Sequence, residues 1–128
     1  MRLKGKIAIV TGGARGIGQA VSELFAKEGA TVIIIDLLSQ GQEVANVIVS
    51  TGGKAEYHAV SVTDKSALEK LFKDVNERYG RIDILINNAG ITRDRTLEKM
   101  SEEEWNAVID VNLKGVFLCT QAVIPYMK

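Results

Sequence analysis

The feature that most constrains this chain is the passage from the apolar run Ile7-Ala8-Ile9-Val10 through Thr11-Gly12-Gly13-Ala14-Arg15-Gly16-Ile17-Gly18 into a segment of helical periodicity. A buried strand that turns within a few residues into a helix commits the chain to a layered α/β arrangement. Gly12, Gly16 and Gly18 stand in the spacing Gly-x-x-x-Gly-x-Gly. Lacking a Cβ, Gly12 can turn sharply out of the strand, Gly16 lets phosphate groups approach the backbone, and Gly18 lets the helix lie close on the sheet. The helix start then offers unpaired N–H groups and the positive end of its dipole to an anion. An ordinary tight turn after a buried strand is the competing, less favoured reading of the glycines alone, so context must decide.

Asp36 supplies much of that context. It closes the next apolar run, Thr31-Val32-Ile33-Ile34-Ile35, and follows Gly18 by 18 residues. That is near the roughly 20-residue offset at which an acid meets the adenosine ribose in a dinucleotide site. A carboxylate there accepts hydrogen bonds from both ribose hydroxyls and meets a 2′-phosphate with like charge. Leu37 and Leu38 bring no cation to offset it, and Arg15 is the one basic residue near. NAD is therefore expected ahead of NADP. The competing reading of Asp36 is a turn carboxylate at a strand end.

Apolar runs and helical patterns alternate along the whole chain, with no linker or repeat and one proline, Pro125. Ile17, Ala20, Val21, Leu24 and Phe25 predict a first helix closed by Gly29. A second strand spans Thr31 to Asp36. Ser39 is placed as the cap of a second helix carrying Val44, Val47 and Ile48. Ala55 to Val60 reads as a third strand, Thr63 as the cap of a third helix with Leu68, Leu71, Phe72, Val75 and Tyr79, and Ile82 to Ile86 as a fourth strand. Strands joined through helices imply right-handed parallel crossovers. A ligand crevice beside the first strand then requires the order 3-2-1-4, with two helices on each face.

His58 has no second His or Cys to join it and reads as a partly exposed strand residue; no metal site is expected. Ser61-Val62-Thr63-Asp64 falls at the carboxyl end of the third strand, and Asn87-Asn88-Ala89-Gly90 at that of the fourth, on the far wall of the crevice. Two adjacent amides can simply hold a turn, but the small Ala89 and Gly90 also let a ligand lie against the main chain. Ser101-Glu102-Glu103-Glu104 is a capping box. The helix it opens carries Trp105, Val108, Ile109, Asn112, Val116, Phe117, Cys119 and Val123, mostly at core spacing. Asn112 is out of place on that stripe, either as a satisfied kink residue near Gly115 or as a working group.

Bulk composition narrows the classes further. A chain of 128 residues, 46% hydrophobic, holds one domain with a real core. Sixteen acidic residues balance sixteen basic ones, which gives no electrostatic case for nucleic acid or an anionic membrane. No run approaches the roughly 18 apolar residues of a membrane span. The single Cys119 reads as core packing, and a cytoplasmic setting is expected.

Taken together, Thr11-Gly12 with Gly16 and Gly18, Asp36, Asn87 to Gly90, and Asn112 within Val111-Asn112-Leu113-Lys114-Gly115 resemble the short-chain dehydrogenase/reductase family over the whole chain. Gly90-Ile91-Thr92-Arg93-Asp94 leading to Glu104-Trp105 is most similar to the bacterial 3-oxoacyl-(acyl-carrier-protein) reductases within it. The resemblance implies a Rossmann-like doubly wound parallel sheet, here truncated to four strands, with residues 1–128 forming one NAD(P)-binding half-domain. It implies that Thr11, Gly12, Arg15, Gly16, Ile17 and Gly18 hold pyrophosphate, Asp36 the adenosine ribose, and Ser61 and Val62 the adenine. Asn88, Ala89 and Gly90 would line the cofactor, and Asn112 would position a water in a proton relay. Position 61 departs from the family, which usually has Asp there.

The family's catalytic Ser and Tyr-x-x-x-Lys are missing from these residues, since Tyr126 and Lys128 are two apart rather than four. Reduction of a ketone by hydride needs an acid for the developing alkoxide. The chain is accordingly expected to be a dinucleotide-binding module without turnover, the N-terminal half of an oxidoreductase. The alternative is a structural fragment that only self-associates, as a dimer, through the fourth strand's open edge or the last helices. A methyltransferase using S-adenosylmethionine shares the glycine turn and the acid, but not Asn87-Asn88-Ala89-Gly90.

Overall fold

The computed structural model describes residues 1–89 and 99–127. The roles expected of Gly90 and of the stretch 91–94 lie outside the described residues. Four strands, β1 (Ile7–Thr11), β2 (Thr31–Ile35), β3 (Lys54–His58) and β4 (Ile84–Asn87), alternate with α1 (Gly16–Lys27), α2 (Gln40–Ser50) and α3 (Lys65–Tyr79). After β4 come α4 (Glu102–Ile109), a π-helical turn (Asp110–Lys114) and α5 (Gly115–Met127). All strand pairs are parallel and the spatial order is β3-β2-β1-β4, as the crossover argument requires.

The pleat divides the core in two. Ile7, Ile9, Ile33 and Ile35 face Leu68, Phe72 and Val75 of α3 and Leu118, Cys119 and Val123 of α5. Ala8, Val10, Val32 and Ile34 face Ala26 of α1 and Val44, Ala45 and Ile48 of α2. The result is a Rossmann-like doubly wound sheet with helices on both faces. Thr11 lies level with Ile35 on one side and Asn87 on the other, so the carboxyl ends of the three neighbouring strands reach one rim together.

Several sequence expectations are corrected. The buried face of α1 is Gly18, Ser22 and Ala26, whereas Ile17 and Leu24 are exposed. Close seating selects small residues there, and Ser22 Oγ satisfies itself on the Gly18 carbonyl at 2.9 Å. Ser39 occupies the N-cap position of α2 without bonding through its side chain. Asp64, not Thr63, caps α3 by accepting from Ala67 N. Val47 is exposed. The second strand stops at Ile35. The third begins at Lys54 and ends at His58, where Val60 N turns back onto the His58 carbonyl. The fourth begins at Ile84, because Asp83 uses its carboxylate to take the Ile7 amide at 2.8 Å.

The largest correction concerns the last helix. From Glu102 to Met127 it is continuous over 26 residues and, by length and composition alone, long and apolar enough to cross a membrane, although Asp110, Asn112, Lys114, Thr120 and Gln121 break its apolar run well short of 18 residues. Leu118, Cys119 and Val123 are nevertheless built into the core, so packing uses part of its apolar surface. Trp105 and Phe117, placed at core spacing by the sequence, are each more than half exposed. Burial pushes the Cys119 thiol up to about 11, consistent with an inert packing residue.

At the other end of the sheet, the edge strand β3 is fastened by charge. Glu56 accepts from Arg78 Nη1 at 2.9 Å and the Tyr79 hydroxyl at 2.8 Å, and its carboxylate lies 2.8 Å from His58 Nε2. Arg78 also bonds Asp74. The guanidinium beside Glu56 holds its carboxyl down at about 2. His58 is thus a partly exposed residue of an edge strand, hydrogen-bonded to Glu56.

Candidate functional site

At the rim where β1, β2 and β4 end, the chain encloses a cleft of about 370 Å³. One wall is the loop that follows β1, contributing Gly12, Arg15 and Gly16. A second is Ile35 to Leu38 at the end of β2, and a third is Val60, Ser61 and Val62 beyond β3. Asn88 and Ala89 close the side next to β4, and Val111 reaches in from the π turn.

The loop after β1 adopts the backbone its glycines permit. Gly12 and Gly16 have φ of 68° and 58°, in the left-handed region, and the space around Gly16 is open. A Cβ at Gly18 would overlap the Gly12 carbonyl oxygen, so α1 can begin this close to the turn only without one. No side chain caps α1, and its first turn holds no acidic residue. The start of α1, with Gly16 on the cleft lining, therefore brings the positive end of the helix dipole to the cleft with no acidic side chain in its first turn, the arrangement that attracts an anionic group.

Thr11 is the rivet between the two central loops. Its hydroxyl donates to the Ile86 carbonyl at 3.3 Å and accepts from Asn88 N at 3.0 Å and Ala89 N at 2.9 Å. Asn88 Nδ2 in turn donates to the Gly12 carbonyl at 3.2 Å. Thr11 is buried, so its part is to hold the Asn88-Ala89 wall against the glycine loop.

Asp36 faces that loop from β2. Its Oδ2 accepts from Ala14 N at 3.1 Å and its Oδ1 from Leu38 N at 3.0 Å. The acid therefore ties the glycine loop to the start of α2 while keeping negative charge on the cleft wall. Ser61 and Thr63 share a hydroxyl contact of 2.8 Å, and Thr63 N donates to Ser61 Oγ at 3.2 Å. That bonding shapes the turn carrying Val62 into the cleft.

Of the residues singled out from the sequence, Gly12, Arg15, Gly16, Asp36, Ser61, Val62, Asn88 and Ala89 come together on this cleft. Thr11 and Gly18 stand behind it as buried supports, and Ile17 is exposed on the first turn of α1, away from its lining. Asn112 lies on the π turn next to Val111. Val60 and Val111 join the lining without any mark in the sequence. Tyr57, whose hydroxyl bonds the main chain of Asp36, escapes sequence reasoning altogether, because a tyrosine in an alternating strand carries no local sign of such a role.

Comparison with known proteins agrees with the fold. The short chain dehydrogenase family matches residues 6–128. A 3-oxoacyl-[acyl-carrier-protein] reductase of Thermotoga maritima is 49% identical, over 99% of this chain and 52% of its own length. The peroxisomal multifunctional enzyme type 2 of Drosophila melanogaster is 44% identical, over all of this chain and 23% of its own. A metagenomic short-chain oxidoreductase, solved in complex with NADP, superposes with a TM-score of 0.90 at 36% identity, covering 98% of this chain and 58% of that one. The chain thus spans about half the length of the Thermotoga maritima relative.

Proposed function

The chain belongs to the short chain dehydrogenase family, and from that premise we propose that its cleft binds the ADP half of a nicotinamide dinucleotide. One observation carries the reading: a carboxylate from the end of β2 and the uncapped start of α1 converge on a single cavity. Pyrophosphate takes the amides between Gly12 and Gly18, the ribose takes Asp36, and adenine takes the wall formed by Ser61 and Val62. Asn88 and Ala89 border the cofactor beyond the pyrophosphate, with Gly90 following them in the chain.

Two charges on the cleft bear on which dinucleotide is preferred. Asp36 repels a 2′-phosphate, and no cation follows it at Leu37 or Leu38. Arg15, on the opposing wall, attracts one. We place NAD ahead on the strength of Asp36. NADP in the similar metagenomic oxidoreductase is the reason to titrate both.

These 128 residues contain no Tyr-x-x-x-Lys. The proposal is therefore binding without turnover by this chain alone, in a reducing cytoplasmic setting that suits its single buried thiol. In a longer protein that supplies the acid, Asn112 would act beside the proton relay and a 3-oxoacyl thioester is the proposed substrate, by likeness to the Thermotoga maritima reductase. Calorimetric titration with NAD and NADP is the test. Saturable one-site heat that disappears in Gly16→Val supports the reading, and no heat from folded protein at millimolar ligand removes it. Consumption of NADH with a 3-oxoacyl thioester would remove the claim of no turnover.

A second reading, self-association, rests on a separate observation. Leu113, Val116, Phe117, Ile124 and Met127 leave an apolar stripe exposed along the last helix. Among the described residues, β4 pairs only with β1 and so presents an open edge. A dimer covering either surface is the expected form; a monomer by light scattering at high concentration contradicts it.

A further inference from the structure

Asp36 is held from below by a residue that does not itself line the cleft. Tyr57 sits on β3 opposite Ile34, on the face that packs under α1 and α2. Its hydroxyl donates to the Asp36 carbonyl oxygen at 3.0 Å. Its ring passes so close beneath the start of α2 that a Cβ at Gly41 would overlap ring atoms Cδ1 and Cε1. Packing alone does not account for a tyrosine here, because phenylalanine would fill the same space; only the hydroxyl reaches Asp36.

The contacts then run in series. Tyr57 fixes the main chain of Asp36, assisted by the bond from Asp36 N to the His58 carbonyl at 3.3 Å. The Asp36 carboxylate in turn fixes Ala14 N in the glycine loop and Leu38 N ahead of α2. A carboxylate held at both oxygens cannot swing aside to admit a bulky anion. Its negative charge stays on the wall that meets the ribose.

We propose that Tyr57 is a positioning residue which, through Asp36, sets how strongly the cleft discriminates a ribose 2′-hydroxyl from a 2′-phosphate. This rests on the dinucleotide reading above. Tyr57→Phe deletes the hydroxyl and keeps the ring, so the fold is retained and Asp36 is loosened. The ratio of dissociation constants, NADP over NAD, falls by about two- to tenfold, the scale of one lost hydrogen bond. In an Asp36→Ala background the same change leaves the ratio where Asp36→Ala has put it, because Tyr57 then has no carboxylate to place.

A ratio unchanged in Tyr57→Phe, or one that shifts equally with and without Asp36, overturns the proposal even if the thermal midpoint drops. A second readout needs no ligand: hydrogen exchange at the Ala14 amide accelerates in Tyr57→Phe. If the unaltered protein binds neither NAD nor NADP, the dinucleotide reading fails. Exchange at Ala14 then decides the positioning by itself, with faster exchange upholding it and unchanged exchange overturning it.

Discussion

The centre of the sheet and the last helix both carry large apolar side chains and end in opposite conditions. Ile9, Val32, Ile33 and Ile34 have no solvent exposure, whereas Leu113 is 65% and Phe117 59% exposed. The first set is enclosed by helices on both faces and by hydrogen-bonded neighbours on both edges. Among the described residues, the second has α3 and the sheet on one side only. An apolar stripe specifies that a face is to be covered; it does not say by what. The proposed cofactor cleft lies on the enclosed side of this contrast, which is why its walls are held by named bonds, while the exposed side is the proposed surface for association.

The sharpest way to break the comparison is to remove equal bulk from each region. Ile33→Ala at the sheet centre should lower unfolding free energy by about 2 to 5 kcal/mol in urea titration, from lost burial plus cavity. A loss under about 1 kcal/mol would mean the centre is looser than its burial says.

The next effect is at the joint between regions. Thr11→Val keeps the shape but strips three hydrogen bonds, one from β1 to the Ile86 carbonyl of β4 and two to the Asn88-Ala89 wall. A cost of about 2 to 3 kcal/mol is expected, with faster exchange at the Asn88 and Ala89 amides as the specific sign.

A smaller term comes from the edge strand. The folded Glu56 pKa, about 2, lies below its unfolded value of 4.5. A depressed carboxylate contributes stability above the unfolded value and loses it as pH falls through the folded one. Between about pH 4.5 and 2 that part is expected to disappear, on the order of 1 to 2 kcal/mol after solvent screening. In Glu56→Gln, stability should be reduced at neutral pH and this acid dependence flattened.

The smallest effect belongs to the exposed stripe. Phe117→Ala should shift monomer stability by less than about 0.5 kcal/mol. The same change should reduce any dimer seen by light scattering, which sharpens the distinction between a face that is packed and one that awaits a partner.

Much of this organisation is legible in the amino-acid sequence alone. Strand order 3-2-1-4 follows from the glycine turn on the first strand together with the alternation of elements, and the stripe Leu68, Leu71, Phe72 and Val75 is both the periodic face of α3 and its buried one. The face of α1 is harder to read, because hydrophobicity marks Ile17 and Leu24, while a helix pressed onto a sheet favours Gly18 and Ser22. Thr63 and Asp64 are both good caps one residue apart, and only the backbone decides between them. Trp105 and Phe117 carry core spacing because periodicity reports amphipathic character, not coverage. On the cleft, Asp36 and Gly12 to Gly18 announce themselves through spacing. Tyr57 and Val111 do not, since they reach the site only through the packing of β3 under α2 and through the π turn.

The measurement that meets the central claim most directly is amide chemical-shift mapping of the chain with ADP-ribose, which carries the groups assigned to the cleft and no nicotinamide. Saturable shifts at Gly12 to Gly18, Asp36, Ser61 and Val62 are the predicted result, absent in Gly16→Val. No shifts at millimolar ligand from folded protein, or shifts confined to the groove of Lys70, Lys73 and Tyr126 between α3 and α5, would contradict the account.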